Sequence, residues 1–117
     1  MSPVFTRVVP DPIGQMLGTR MNKFESACGV DGLMRENGHG QLELLAVAAR
    51  NPGRGDFRNF ITLLKYDYAT ICVWFIDNQF LGEALKRYGF KPEVIVDEHG
   101  DKMDGLRWDK PKANIKP

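Results

Sequence analysis

The chain has 117 residues, 43% of them apolar and 26% charged, and carries a formal net charge of +1. That size supports one domain with a small core, and the near-neutral balance excludes the basic face that a broad nucleic-acid footprint needs. No run approaches the roughly 18 apolar residues of a membrane span, and the N-terminus lacks a basic region followed by an apolar stretch, so the expected location is the cytoplasm.

Val4 to Val9 alternates weakly and is stopped by Pro10-Asp11-Pro12, which reads as a first strand followed by a turn. From Ile13 to Cys28, the residues Ile13, Leu17, Met21, Phe24 and Cys28 recur at helical spacing, with Gly29 where a C-terminal glycine belongs. The spacing predicts a helix there, weakened by Gly14 and Gly18. Val30 to Arg35 reads as a short strand, and Asn37-Gly38-His39-Gly40 carries the residues a hairpin turn requires. The next strand, Gln41 to Ala49, is apolar on both faces after Glu43, so it is expected at the centre of a sheet.

Phe57, Phe60, Ile61 and Leu64 fall at i, i+3, i+4 and i+7, which predicts an amphipathic helix from Asp56 to about Tyr66 with Asp56 as its N-cap. Thr70 to Ile76 is β-branched and aromatic, hence a buried strand. A second amphipathic helix follows, capped by Asp77 or Asn78, striped by Leu81, Ala84, Leu85 and Tyr88, and closed by Gly89. Phe90 to Val96 and Lys102 to Trp108 flank Glu98-His99-Gly100-Asp101 as a closing hairpin, and residues 110–117 form a polar, proline-containing tail. The expected architecture is α/β: one domain over residues 1–109 with a mixed central sheet flanked by helices, in the order β-α-β-β-α-β-α-β-β.

Between the apolar strand and the first of these amphipathic helices lies Arg50-Asn51-Pro52-Gly53-Arg54-Gly55. Small residues in such a turn let the backbone approach a ligand, and free N–H groups at a helix start attract anions. Asn78 stands eleven positions before Gly89-Phe90. Strand, glycine turn, helix and this later spacing together resemble the acyl-CoA-binding half of the GNAT acyltransferase family, over roughly residues 4–108. The resemblance implies that backbone groups of Leu45, Ala46 and Val47 contact the pantetheine arm of acetyl-CoA. It also implies that Arg50 opens the phosphate signature, that Gly53, Arg54 and Gly55 hold the diphosphate, that Asn78 marks the second motif, and that the next strand splays away to admit the thioester.

The sequence departs from the family pattern at several positions. Pro52 stands where an arginine is common and Phe57 where a third glycine is common, which leaves the register of the turn open. Asp56 puts a carboxylate at the helix start that should receive phosphate. Leu85 stands where many members carry a tyrosine acid. Acyl transfer to an amine needs a base and a donor for the departing sulfur. Glu43 is the candidate base on the central strand, with a solvent-facing carboxylate as the alternative; Tyr88 is the nearest hydroxyl to the missing acid, with a core role as its alternative.

His39 and His99 sit in predicted turns without acidic or cysteine neighbours at ligand spacing, so no metal is expected. Cys28 and Cys72 are expected as separate thiols. Trp74 and Trp108 read as packing residues, with Trp74 also a candidate wall of an acceptor cleft.

Two functions fit this reading. One is an acetyl-CoA-dependent N-acetyltransferase acting on an amine of a small molecule or protein. The other is a domain of the same fold that has lost the chemistry and binds a partner protein. Short divergent chains of this kind are familiar among phage proteins, including host-modifying and virion factors, so a phage origin with location in the host cytoplasm is one expectation. A second copy supplying the missing N-terminal elements, a homodimer, is another.

Overall fold

The computed structural model of the chain describes residues 2–12, 21–51, 55–74, 79–96 and 100–111. Among these residues seven strands and two helices follow one another: β1 (Phe5–Pro10), β2 (Asn22–Ser26), β3 (Val30–Glu36), β4 (Gln41–Ala49), α1 (Asp56–Asp67), β5 (Thr70–Trp74), α2 (Gln79–Arg87), β6 (Lys91–Val96) and β7 (Lys102–Asp109). They form one mixed sheet in the order β1-β2-β3-β4-β5-β7-β6. Among the described strands only β4 and β5 pair in parallel, from Gln41↔Thr70 to Leu45↔Trp74, and α1 is the crossover that such a pair requires. The parallel pair and its single crossover helix are what the resemblance implies.

The expected helix over residues 13–28 needs correction. Residues 13–20 lie outside the described part, but Asn22–Ser26 is a strand, antiparallel to both β1 and β3. Its inward side chains are Phe24 and Ser26, with Lys23 and Glu25 exposed, so the period is two. Pairing on both sides decides the conformation, because only one apolar residue of this segment faces the core. Phe24 then stacks on Phe60 of α1 with ring centroids 5.7 Å apart, and Phe5 meets its edge at 5.0 Å.

Strand alternation fixes which face carries the helices. Met34, Leu42, Leu44, Ile71, Val73 and Leu106 point one way and form a single core with Phe60, Ile61 and Leu64 of α1 and Leu85 of α2. Both helices therefore lie on the same face. The far face carries Arg35, Glu43, Cys72 and Arg107 in one cross-strand row, and Leu33, Leu45, Trp74 and Gly105 in the next. β5 is buried on both faces, as its β-branched and aromatic run predicts; the remainder of that run, residues 75 and 76, lies outside the described part.

The turns follow their sequences closely. Asn37 Oδ1 accepts from the His39 and Gln41 amides to close the β3–β4 hairpin. At the end of α2, Phe90 N–H bonds the Leu85 carbonyl at 3.0 Å and Gly89 N–H bonds the Lys86 carbonyl at 3.1 Å, with Gly89 at φ 94. That is a Schellman end, and it brings Phe90 onto Leu85 in the core. The thiols of Cys28 and Cys72 are both free. No described helix is long and apolar enough to cross a membrane.

Candidate functional site

β4 is not a regular strand. Ala46 has φ 51, and the β3–β4 register shifts between Asp31 and Leu33, so a bulge interrupts the ladder opposite Gly32. A β-carbon on Gly32 would stand 3.1 Å from the Leu45 and Ala46 carbonyl oxygens, which is why a residue without a side chain faces the bulge. A left-handed alanine costs of order 1 kcal/mol and persists only where the surroundings hold it. Past this kink, Val47, Ala48 and Ala49 form one wall of a cleft of about 380 Å3.

The other walls are the two helices. Gly55, Asp56, Phe57 and Arg58 at the start of α1 face Phe80, Leu81, Ala84 and Tyr88 of α2 and its C-terminal turn across the cleft. Gly55 is the N-cap, with φ 76, in place of the Asp56 cap expected from the sequence. An aspartate is favoured at an N-cap in extended backbone, whereas the left-handed geometry here selects glycine and pushes Asp56 into the first turn. The first intrahelical bond runs from Asn59 N–H to the Gly55 carbonyl at 3.1 Å. Among the described residues no carbonyl accepts from the N–H groups of Asp56, Phe57 and Arg58, which border the cleft.

Asp56 is turned sideways. Its Oδ2 stands 3.4 Å from where a β-carbon on Gly29 would sit, and after burial it is the second cause that pushes the Cys28 thiol up. It borders both the cleft and a neighbouring groove of about 610 Å3 that also takes in Cys28, Gly29 and Arg50. Arg50 belongs to that groove. Its Nε lies 3.3 Å from Asp31 Oδ2, its Nη2 donates to the Ser26 carbonyl at 3.1 Å, and its own N–H donates to the Gly29 carbonyl at 2.8 Å. The guanidinium is thus fastened to the β2–β3 end.

Glu43 sits on the far face, opposite the cleft, with Arg35 donating to it through Nε at 2.7 Å and through Nη2. Its other register neighbour is Cys72, whose thiol is pushed up to about 11, chiefly by burial. Tyr88 is half-buried, packs on the core and lines the cleft; Lys65 donates to its carbonyl oxygen. Leu85 is fully buried in the core.

The structure thus brings Val47, Gly55 and Tyr88 together around one cleft, with Leu45 and Ala46 leading into it, and separates Arg50 and Glu43 from it. Gly53, Arg54 and Asn78 lie outside the described residues. Sequence reasoning missed Phe80, which is 84% exposed at the cleft mouth. An apolar residue one position off the inner stripe of a helix was the available signal. Among the described residues no group of His, Cys, Asp and Glu could hold a metal ion.

No family model matches the chain, and no curated protein does. Among solved structures, Ard1 from Thermoplasma volcanium is similar over 86% of this chain and 76% of its own, at 13% identity and a TM-score of 0.47. An acetyltransferase of Bacillus subtilis in complex with CoA is similar over 86% of both chains, at 14% identity and a TM-score of 0.42.

Proposed function

We propose that the chain is an acetyl-CoA-dependent N-acetyltransferase acting on an amine of a small molecule or protein. The observation that carries the reading is the cleft itself: a bulged central strand on one side, the N-terminal turn of a helix at one end and a tyrosine among its walls. This is the arrangement a thioester with a long polar tail needs. Backbone groups of Leu45 to Val47 bind the amide-bearing pantetheine arm, and Phe57, Leu81 and Ala84 shield its apolar parts. The N–H groups from Gly55 to Arg58 receive the diphosphate.

In the reaction, the neutral amine nitrogen bonds to the acetyl carbonyl carbon and the carbon–sulfur bond breaks. The amine reaches the carbonyl from the far face, where Glu43 takes up its proton through water. The Tyr88 hydroxyl gives a proton to the departing thiolate. Arg50 stays with Asp31 and shapes the turn rather than holding phosphate. The acceptor is an uncharged amine at the moment of attack, so rate rises with pH until the acceptor is fully deprotonated.

Calorimetric titration of acetyl-CoA into the folded protein tests the reading, followed by thiol release with a panel of amines and peptides. Saturable binding and acceptor-dependent thiol release are the expected results. No heat at millimolar acetyl-CoA rejects the enzyme and leaves the protein-binding domain as the account of the fold.

A further inference from the structure

We propose that Trp74, seated on Gly105, restricts the transferred acyl group to the length of acetyl; the inference rests on the acyltransferase reading of the cleft. Leu45 of β4 and Trp74 of β5 are register partners, and theirs is the last described rung before the bulge at Ala46. In that reading the thioester end of the donor lies where the described β4–β5 pairing ends. Alternation places both side chains on the far face, the side from which the amine arrives, so whatever extends from the acetyl carbon toward the acceptor meets them.

Trp74 is the largest side chain in that row and is 3% exposed. Its position is built in by its other register partner, Gly105 of β7. A β-carbon on Gly105 would collide with Cε3 and Cζ3 of the indole and stand 2.6 Å from the Val73 carbonyl oxygen. The six-membered ring therefore lies directly on the β7 backbone, in a seat that only glycine leaves open. A ring held this way cannot retreat toward β7 to admit a longer chain, because protein interiors are close-packed.

Two opposed levers follow. Shortening residue 74 opens room for longer acyl groups, whereas a methyl on Gly105 drives the indole toward Leu45 and narrows that space further. A tryptophan that only supports the core would lower the affinity for every acyl-CoA in parallel; a wall at the acyl end changes their ratio.

The test is calorimetric titration of free CoA, acetyl-CoA and butyryl-CoA into the wild-type protein, Trp74→Phe and Trp74→Leu. Wild type should bind acetyl-CoA at least about tenfold more tightly than butyryl-CoA, the discrimination that methylenes against a packed wall provide. Trp74→Leu should bring the two within about twofold while leaving free CoA unchanged, and Trp74→Phe should fall between. Equal affinity of wild type for the two acyl-CoAs, with free CoA binding, overturns the proposal alone and needs no variant to fold. So does an unchanged ratio in either variant. Failure of free CoA itself to bind wild type rejects the acyltransferase reading, and the acyl wall with it.

Discussion

Replacing Gly55 by alanine adds one methyl group at the point where the cleft meets the start of α1. The backbone there has φ 76, and no described residue lies within 4 Å of the added β-carbon. The protein-internal cost is therefore backbone strain alone, about 1–2 kcal/mol for an L-residue in the left-handed region. Against a domain stability of about 5–15 kcal/mol, the variant stays folded. At about 4 °C per kcal/mol for a chain of this size, its melting temperature falls by roughly 4–8 °C. The ligand, by contrast, meets the methyl in the approach to the helix N–H groups, and acetyl-CoA should bind at least about tenfold more weakly, near 1.4 kcal/mol. Gly100→Ala is the matched control: φ 82, again no described residue within 4 Å, but in the β6–β7 connection. Calorimetry and thermal melts on both variants separate strain from ligand contact. Wild-type affinity in Gly55→Ala, or equal weakening in both, would refute the placement of the diphosphate.

Asp56→Asn keeps the side-chain shape but removes the charge beside the same donors, so acetyl-CoA affinity should hold or improve in calorimetry while the helix loses a few tenths of a kcal/mol of dipole stabilisation. Tyr88→Phe should lower kcat by about a hundredfold or more and leave acetyl-CoA affinity unchanged in the same titration. Leu85→Asp places an unpaired carboxylate in the fully buried core position, and circular dichroism should find the variant unfolded. The Tyr68 hydroxyl is pushed up to about 12 from 10.0, chiefly by burial. Because the folded pKa is the raised one, its contribution is complete below about pH 10 and is lost as pH climbs to about 12, so urea midpoints should fall more steeply over that range than in Tyr68→Phe.

What could be read from the sequence tracks how local each signal is. The α1 stripe of Phe60, Ile61 and Leu64 and the closing glycine of α2 at Gly89 come from spacing within one turn or two, and both stand in the structure. β2 was misread because Met21, Phe24 and Cys28 fit a helical period, while the two strands that pair with it lie elsewhere in the chain. Asp56 reads as the cap because residue preference is local, yet the cap is Gly55 in left-handed backbone, a conformation that no side-chain preference at Asp56 reports. The candidate site divides in the same way. The glycine turn and Tyr88 were visible as residues. That Glu43 faces away from the cleft, that Arg50 is taken by Asp31 and that Trp74 rests on Gly105 are facts of register, and register across a bulged sheet is not written in any one segment.

The inner end of the cleft is held by the protein itself. α1 and α2 are fastened together where they end: Lys65, in the last turn of α1, donates to the Tyr88 carbonyl and holds its ammonium 5.1 Å from the Trp108 ring centroid and 5.8 Å from that of Phe90. Burial lowers the pKa of that lysine, and the aromatic faces and the carbonyl offset the desolvation that a half-buried charge suffers. Width at the Tyr88 end is thus set by the protein. In the proposed acyl transfer this rigid end keeps the Tyr88 hydroxyl in register with the reacting sulfur, which is where small displacements are most costly.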